Sequence, residues 1–530
     1  MPKYSAVIWL NIADFATFSH KIILKRGEIY DFFCIFIPSM SQITLSKNNI
    51  VGRAKQLEAL EKYMNSDCSE FIALYGRRRV GKTFLVKEAL RNQLTIHFTG
   101  RESAPLTQQL LNFHYALVDA GGNFPIPTNW TEAFRYLSKF LEKKKEMVKI
   151  VFIDELPWLD TAKSGFLGAL EYFWNNWASY RNDIKLIVCG SATSWMLDKV
   201  INSRGGLHNR VTHKMLISPW TLKDVEAYFK SKDFSYDRGE IMECYMALGG
   251  VAYYLSLFEP EKSVAQNIND LCFVRGAELE GEHDRLFQSL FKNSTRYSAV
   301  IEALSEKGIG MTRQEIVDKT GLVNNGNLST LLKELEECDF VRSYSPFRKN
   351  AKEKLFQLID QYTLLYHRFI KPKRNFAKNY WLKVHATSAY SSWCGYAFEK
   401  VCLHHLEQIT DALGIEGIIS ESCSWSYRPQ QKKNDAIQNN EENLNKGAQI
   451  DLLIDRNDNV INVCEMKFSM SKYEITKEYY SKIQECIEIF KRVTKTRKSV
   501  VPVFITSFGL SDNAYARKIA RSIEMNALFG

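Results

Sequence analysis

Two patterns of apolar positions organise this chain. Short unbroken apolar runs read as strands buried on both faces, and apolar residues three and four apart read as helices. The first clear run is Phe71-Ile72-Ala73-Leu74-Tyr75, bounded by Gly76 and followed by a helix over Phe84 to Leu90. Ile150 to Ile153 and Lys185 to Gly190 repeat the strand pattern. The spacing then becomes helical at Ser298 to Leu304 and breaks at Gly308-Ile309-Gly310. Thr312 and Glu315 form a capping box for the helix that follows. Thr320-Gly321-Leu322 is a turn, and Asn327 to Cys338 is another helix with Leu328, Leu331, Leu332 and Leu335 at helical spacing. Phe340 to Arg342 and Lys354 to Leu358 read as the two strands of a wing, so this stretch has the pattern of a winged helix-turn-helix. Near the C-terminus, Gln449 to Asp455 and Val460 to Phe468 read as strands joined by the turn Arg456-Asn457-Asp458-Asn459.

The turn between Tyr75 and Phe84 carries the chemistry. It reads Gly76, Arg77, Arg78, Arg79, Val80, Gly81, Lys82, Thr83. A G-x-x-x-x-G-K-T string between a strand and a helix is a phosphate-binding loop. Its backbone N–H groups and the helix N-terminus cradle phosphates, Lys82 reaches the β- and γ-phosphates, and Thr83 holds Mg²⁺. The strand ending in Asp154-Glu155 supports this reading. Asp154 is placed for the Mg²⁺ shell, and Glu155 can orient and deprotonate the attacking water. Ser191, at the end of the third strand, is a candidate partner of the γ-phosphate or the water; it also suits an N-cap. Arg204 and Arg210 precede Met215-Leu216-Ile217, and Arg210 is the favoured arginine finger, with a plain surface arginine as the alternative.

Residues 51–255 resemble the AAA-related, STAND-like P-loop ATPases common in archaea and bacteria. The resemblance rests on VGRAKQLEAL, LYGRRRVGKT, VFIDELPWL, CGSATSWM, HNRVTHKMLISPW and ALGGVAYYL. It implies a parallel sheet in the order 5-1-4-3-2, a helical lid and then a winged helix. Gly249-Gly250 looks like the family's lid motif GG-x-P, with Ala252 in place of proline.

In the C-terminal hairpin, folding about the turn brings Asp451 opposite about Cys464, beside Glu465. Glu465 and Lys467 are two apart and share a sheet face. Two carboxylates and a lysine that converge suit metal-assisted phosphodiester hydrolysis: the carboxylates hold Mg²⁺, and the lysine positions water or steadies phosphate charge. This D…E-x-K set resembles the PD-(D/E)xK nuclease superfamily, and Glu399 fits that superfamily's glutamate on a preceding helix. The alternative is an exposed Glu–Lys pair on an inert domain.

Composition narrows the class. The chain has 530 residues, 45% hydrophobic and 25% charged, which is ordinary globular composition for about three or four domains. A net charge of +10 permits nucleic-acid binding without establishing it. Eleven basic residues lie between Arg342 and Lys383 against Glu353 and Asp360, with aromatics interleaved. They read either as a nucleic-acid surface or as a solvated linker face. Eleven cysteines form no C-x-x-C pair, and ten histidines show no ligand spacing, which points to a reducing cytoplasm and away from disulfides or zinc. No run of 18 apolar residues exists, so no membrane span is expected.

The expected α/β architecture is therefore an N-terminal extension over 1–45, poorly ordered and with Met40 a candidate start. It continues with an ATPase core over 46–220, a lid over 221–295, a winged helix over 296–360, a basic aromatic linker over 361–390 and a restriction-endonuclease-like domain over 391–530. Residues 428–446 are expected to be a flexible insertion. The expected cofactors are ATP and Mg²⁺. DNA is a candidate partner, as is a second copy or another protein. The leading expectation is an ATPase whose nucleotide state controls a DNA-directed nuclease-like domain. A signalling switch with an inert interaction domain and a DNA-binding regulator without nuclease activity are the alternatives.

Overall fold

The computed structural model describes residues 43–47, 49–203, 205–291, 293–348, 353–372, 376–427 and 446–530, and two short strands, Ile23–Lys25 and Glu28–Tyr30, which pair antiparallel. The chain divides into two units, 1–43 and 44–530. The expected disorder of 1–45 and the insertion at 428–446 fall almost wholly outside the described residues, as does Arg204.

Five parallel strands form the first sheet: β1 (Glu70–Tyr75), β2 (Leu94–Thr99), β3 (Lys149–Asp154), β4 (Ile184–Gly190) and β5 (His213–Leu216). Their spatial order is β2-β3-β4-β1-β5, the expected 5-1-4-3-2 read from the other edge. Nearly every residue of β1, β3 and β4 is buried, because helices cover both faces; this is why these strands are continuous apolar runs without alternation. One covering layer comes from α2 (Trp130–Lys143) and α3 (Phe166–Asn176), which follow α1 (Lys82–Ala89). Trp130, Phe134, Phe166 and Phe173 pack there against Val151 and Leu186.

After the sheet come α4 (Leu222–Ser231), α5 (Arg238–Leu248), α6 (Ala252–Leu255), α7 (Val264–Cys272) and α8 (Glu282–Leu290). Gly250 is required by close approach: a Cβ there would lie 1.9 Å from the Trp220 carbonyl oxygen. Three further helices follow, α9 (Ser294–Ser305), α10 (Arg313–Thr320) and α11 (Gly326–Glu337). They pack with an antiparallel sheet of β6 (Met311–Thr312), β7 (Val341–Tyr344) and β8 (Leu355–Leu358), in which β8 is central. The Thr312–Glu315 capping box is present, and Leu328, Leu331, Leu332 and Leu335 are all buried in this module's core.

The C-terminal sheet contains β9 (Ser420–Tyr427), β10 (Ala448–Arg456), β11 (Val460–Lys467), β12 (Ser499–Thr506) and β13 (Arg521–Glu524), in sequence order. The first two pairings are antiparallel and the last two parallel.

The described residues of 361–390 do not form an exposed linker. They fold into α12 (Gln361–Leu365), a π-turn helix over Tyr366–Ile370 and α13 (Tyr380–Val384), and lead into α14 (Ser388–His404). Tyr362 and Trp381 are fully buried, and Phe369 nearly so. The interleaved aromatics are therefore core residues rather than an exposed stacking platform. Tyr362, Phe369 and Trp381 belong to one continuous cluster that also holds Tyr245 and Leu248 of α5, Phe398 of α14, Leu452 of β10 and Val503 of β12. Helices α5 and α7 and the C-terminal sheet share this core, so the described residues show no seam at the expected boundary of 390. Sequence periodicity cannot distinguish a buried aromatic from one presented to a ligand.

Trp381 tests this directly. Its indole stacks on Phe273 at 5.1 Å, and its backbone N–H donates to Asn269 Oδ1. Trp381→Ala should lower the unfolding free energy by about 3–5 kcal/mol, as truncation of a buried tryptophan does. Chemical denaturation of the full chain measures it; an unchanged midpoint would restore the linker reading.

Candidate nucleotide site and a second polar cleft

The loop after β1 is shaped by its two glycines. Gly76 has φ 139°, and a Cβ would lie 2.3 Å from the Ile217 carbonyl oxygen, so only glycine lets β1 run into the loop here. Gly81 has φ 92°, faces open space and precedes α1 without any side-chain cap. The first N–H groups of α1 are thus left for an anion. Lys82 is 5% exposed, and its ammonium donates to the Gly76 carbonyl at 2.8 Å and the Arg77 carbonyl at 2.9 Å. Burial pushes its pKa below the ordinary lysine value, against the opposing influence of Cys189, Glu155 and Asp154. Arg53 braces the loop from behind by donating to the Val80 carbonyl at 3.0 Å.

Asp154 ends β3 and Cys189 lies on the adjacent β4. The Thr83 hydroxyl donates to Asp154 Oδ2 at 2.9 Å, and the Cys189 thiol donates to Asp154 Oδ1 at 2.6 Å. Oxygen donors paired this way suit a hard divalent cation. Glu155 follows in the left-handed region, φ 47°, an uncommon conformation for a non-glycine residue. Its carboxylate accepts from the Ser191 hydroxyl at 2.8 Å and the Ser191 N–H at 3.1 Å. Burial raises its pKa, with Lys82 and the Ser191 hydrogen bonds pulling the other way, which makes it a stronger base than an exposed glutamate. Ser191 therefore engages Glu155. Arg210 is exposed and its side chain has no partner among the described residues.

The second polar cleft, about 1000 Å³, lies between the C-terminal sheet and the small three-helix module. Asp451, Glu465 and Lys467 line it with Tyr479 of α15 (Lys477–Thr494); Lys307, Thr312 and Glu315 face them. Here the expected register is off by one. Leu452 stands opposite Cys464, so Asp451 falls level with Glu465. The correction matters, because a residue opposite Cys464 would point to the other sheet face. Glu465 Oε1 is 2.8 Å from Lys467 Nζ and also accepts from the Tyr479 hydroxyl; Gln449 donates to Asp451 at 2.6 Å. Glu399 lies on α14, where burial lifts its carboxyl to about 7; the Lys400 and Lys467 charges lower it, while Asp451 and Glu465 add to the rise. Among the described residues no group of three or more His, Cys, Asp or Glu is arranged to hold a metal ion. The expected set of Glu399, Asp451 and Glu465 is a facing carboxylate pair with Glu399 outside the cleft lining.

Residues 50–258 match a family of ATPase domains found predominantly in Archaea. The match spans the whole parallel sheet and the phosphate loop. An uncharacterized protein of Methanocaldococcus jannaschii is 26% identical over 363 residues, 68% of this chain and 77% of that protein. An uncharacterized ATP-binding protein of the same organism is 51% identical over 43 residues, 8% of this chain and 73% of that one. Among solved structures, a Walker-type ATPase of Pyrococcus abyssi covers 62% of this chain and 98% of its own, at 16% identity and a TM-score of 0.45. No helix among the described residues is long and apolar enough to cross a membrane.

Within the matched segment the three loop arginines diverge. Arg78 lies over Trp158, with its guanidinium carbon 6.0 Å from the ring centroid. Arg77 pairs with Asp360 and Arg79 with Glu282, two carboxylates beyond residue 258. Their backbone can still serve phosphates, but these two guanidiniums are committed elsewhere. Glu282, Cys189 and Tyr479 carry no sequence signal, and Asp360 stands out there only as one of two acids in a basic stretch; no motif links residues 77 and 360, and only the fold brings them together.

Two substitutions probe the site. Lys82→Ala removes a charge-assisted contact of about 1.5–3 kcal/mol, so ATP binding should weaken on the order of 10- to 100-fold and turnover should vanish. Glu155→Gln should retain nucleotide while phosphate release slows by roughly 10²- to 10⁴-fold, the usual contribution of a general base. Equilibrium binding and phosphate release measured separately distinguish the two; parent-like release in Glu155→Gln removes it from the base role.

Proposed function

We propose that this chain hydrolyses ATP and that its nucleotide state controls a DNA-directed, nuclease-like C-terminal domain. In this reading Lys82 and the N-terminus of α1 hold the triphosphate, Glu155 takes a proton from the attacking water, and the γ-phosphoryl group passes to that water as ADP leaves. Thr83 and Asp154 would hold Mg²⁺, which neutralises developing charge on the phosphates. Arg210 is exposed, as a residue that completes the site of a second copy must be. The α9–α11 module is read as a winged helix, with residues 324–333 as the segment presented to DNA. Asn324, Asn327, Ser329, Thr330 and Lys333 are exposed there.

The observation that carries the nuclease reading is the single face shared by Asp451, Glu465 and Lys467, which opens into the cleft beside that module. Asp451 and Glu465 would hold a divalent cation, which lowers the pKa of a bound water and polarises the scissile phosphate. Lys467 would steady the phosphate charge. A second reading, an ATP switch with an inert interaction domain, is favoured by the same residues' present bonds. Glu465 already has Lys467 and Tyr479 as partners.

Nicking of plasmid DNA with and without ATP and Mg²⁺ separates them. The parent chain should nick only with Mg²⁺, and Asp451→Asn should lose roughly 10²-fold or more while ATP turnover persists. Mn²⁺ at about a hundred times its Kd should stabilise the full chain by about 2.7 kcal/mol, most of it absent in Asp451→Asn. No nicking and no metal-dependent shift in melting would leave the inert-domain reading.

A further inference from the structure

Arg77, Arg78, Arg79 and Lys82 place four cations in one eight-residue loop. Two of them are neutralised from outside the ATPase domain. The Arg77 side chain is 2% exposed and its partner Asp360 is 3% exposed. Arg79 Nη2 lies 2.8 Å from Glu282 Oε2, and Glu282 is 1% exposed. The Tyr254 hydroxyl also donates to Glu282, and the Tyr253 N–H donates to the Arg79 carbonyl at 3.2 Å.

Each carboxylate sits at the start of a downstream helix. Asp360 caps α12 by accepting from the Thr363 N–H at 2.8 Å, and the next residue, Gln361, donates to the Ala397 carbonyl of α14 at 3.1 Å. Helix α14 carries Glu399. Arg77 is therefore two short steps from the helix behind the second cleft. Its Nε and Nη2 have no hydrogen-bond partner among the described residues, where its hold on Asp360 depends on a single arm.

The other end of this connection is Lys82, whose ammonium is bonded to the Arg77 carbonyl. A phosphate competes for that ammonium, so an occupied loop loosens its bond to the Arg77 carbonyl. We propose that Asp360 and Glu282 are positioning residues for the phosphate loop, and that the Arg77–Asp360 pair couples loop occupancy to α12 and α14. The inference rests on the ATP-binding reading of the loop and names the route by which that site is regulated. The coupling is reciprocal: whatever shifts α12 also shifts nucleotide affinity.

Hydrogen exchange on the full chain, with and without a non-hydrolysable ATP analogue, tests it. In the parent, the analogue should change exchange in Gln361–Leu365 at least about threefold. In Asp360→Asn that change should vanish while the analogue still binds within about tenfold, 1.4 kcal/mol, of the parent. A parent that binds the analogue without a change at Gln361–Leu365, or a change that survives in Asp360→Asn, overturns the coupling. A parent that does not bind the analogue overturns the phosphate-loop reading and this inference with it. If Asp360→Asn gives no cooperative melt, Glu282→Gln is read the same way at Glu282–Leu290: loss of the nucleotide-dependent change supports the coupling, and its persistence overturns it.

Discussion

Burying charge around a phosphate loop is the constraint on which this structure turns. Lys82 and Arg77 are both withdrawn from water, and a buried cation is tolerated only with a partner. Lys82 finds two backbone carbonyls, and Arg77 finds Asp360. An isolated segment ending near residue 258 would leave Arg77 without its carboxylate. Removing one member of a buried pair typically costs about 3–5 kcal/mol, so the downstream helices belong to the loop's own stability.

The sheet end of β3 follows the same rule. Asp154 accepts from a thiol and a hydroxyl, and Glu155 Oε2 accepts from the Ser191 hydroxyl and N–H, so each carboxylate has donors. Glu155 directs its carboxylate to Ser191, just beyond the end of β4. A positive φ on a non-glycine residue at such a place is a stored cost of the kind that gathers at functional sites.

The parallel sheet was legible from the sequence because three apolar runs, each ending in a polar or glycine residue, have few other ways to be buried. The loop was legible because glycine spacing and a lysine have a direct physical purpose there. The hairpin at 448–467 was legible in kind, yet its register was not. Turn residues 456–459 allow more than one closure, and because Leu452–Ile454 and Ile461–Cys464 are buried on both faces, no apolar alternation in the sequence marks Leu452 as the partner of Cys464. Residues 361–390 were misread for a different reason. Their basic residues are evident in the sequence, but whether Tyr362 or Trp381 faces water depends on the helices that fold over them, and those come from 238–272 and 388–404. Nothing local to Arg77 names Asp360, since the separation of 283 residues is bridged only by tertiary structure.

The shared core has an evolutionary consequence. Proteins that gain and lose terminal domains by recombination do so most easily where a crossover cuts few contacts. In this chain a crossover at 390 would part Tyr245 and Leu248 from Phe398, Leu452 and Val503, which lie together in one apolar cluster. Both halves would expose that surface to water. The C-terminal sheet is therefore inherited with helix α5, and a descendant that exchanges one must exchange the other or rebuild the face between them.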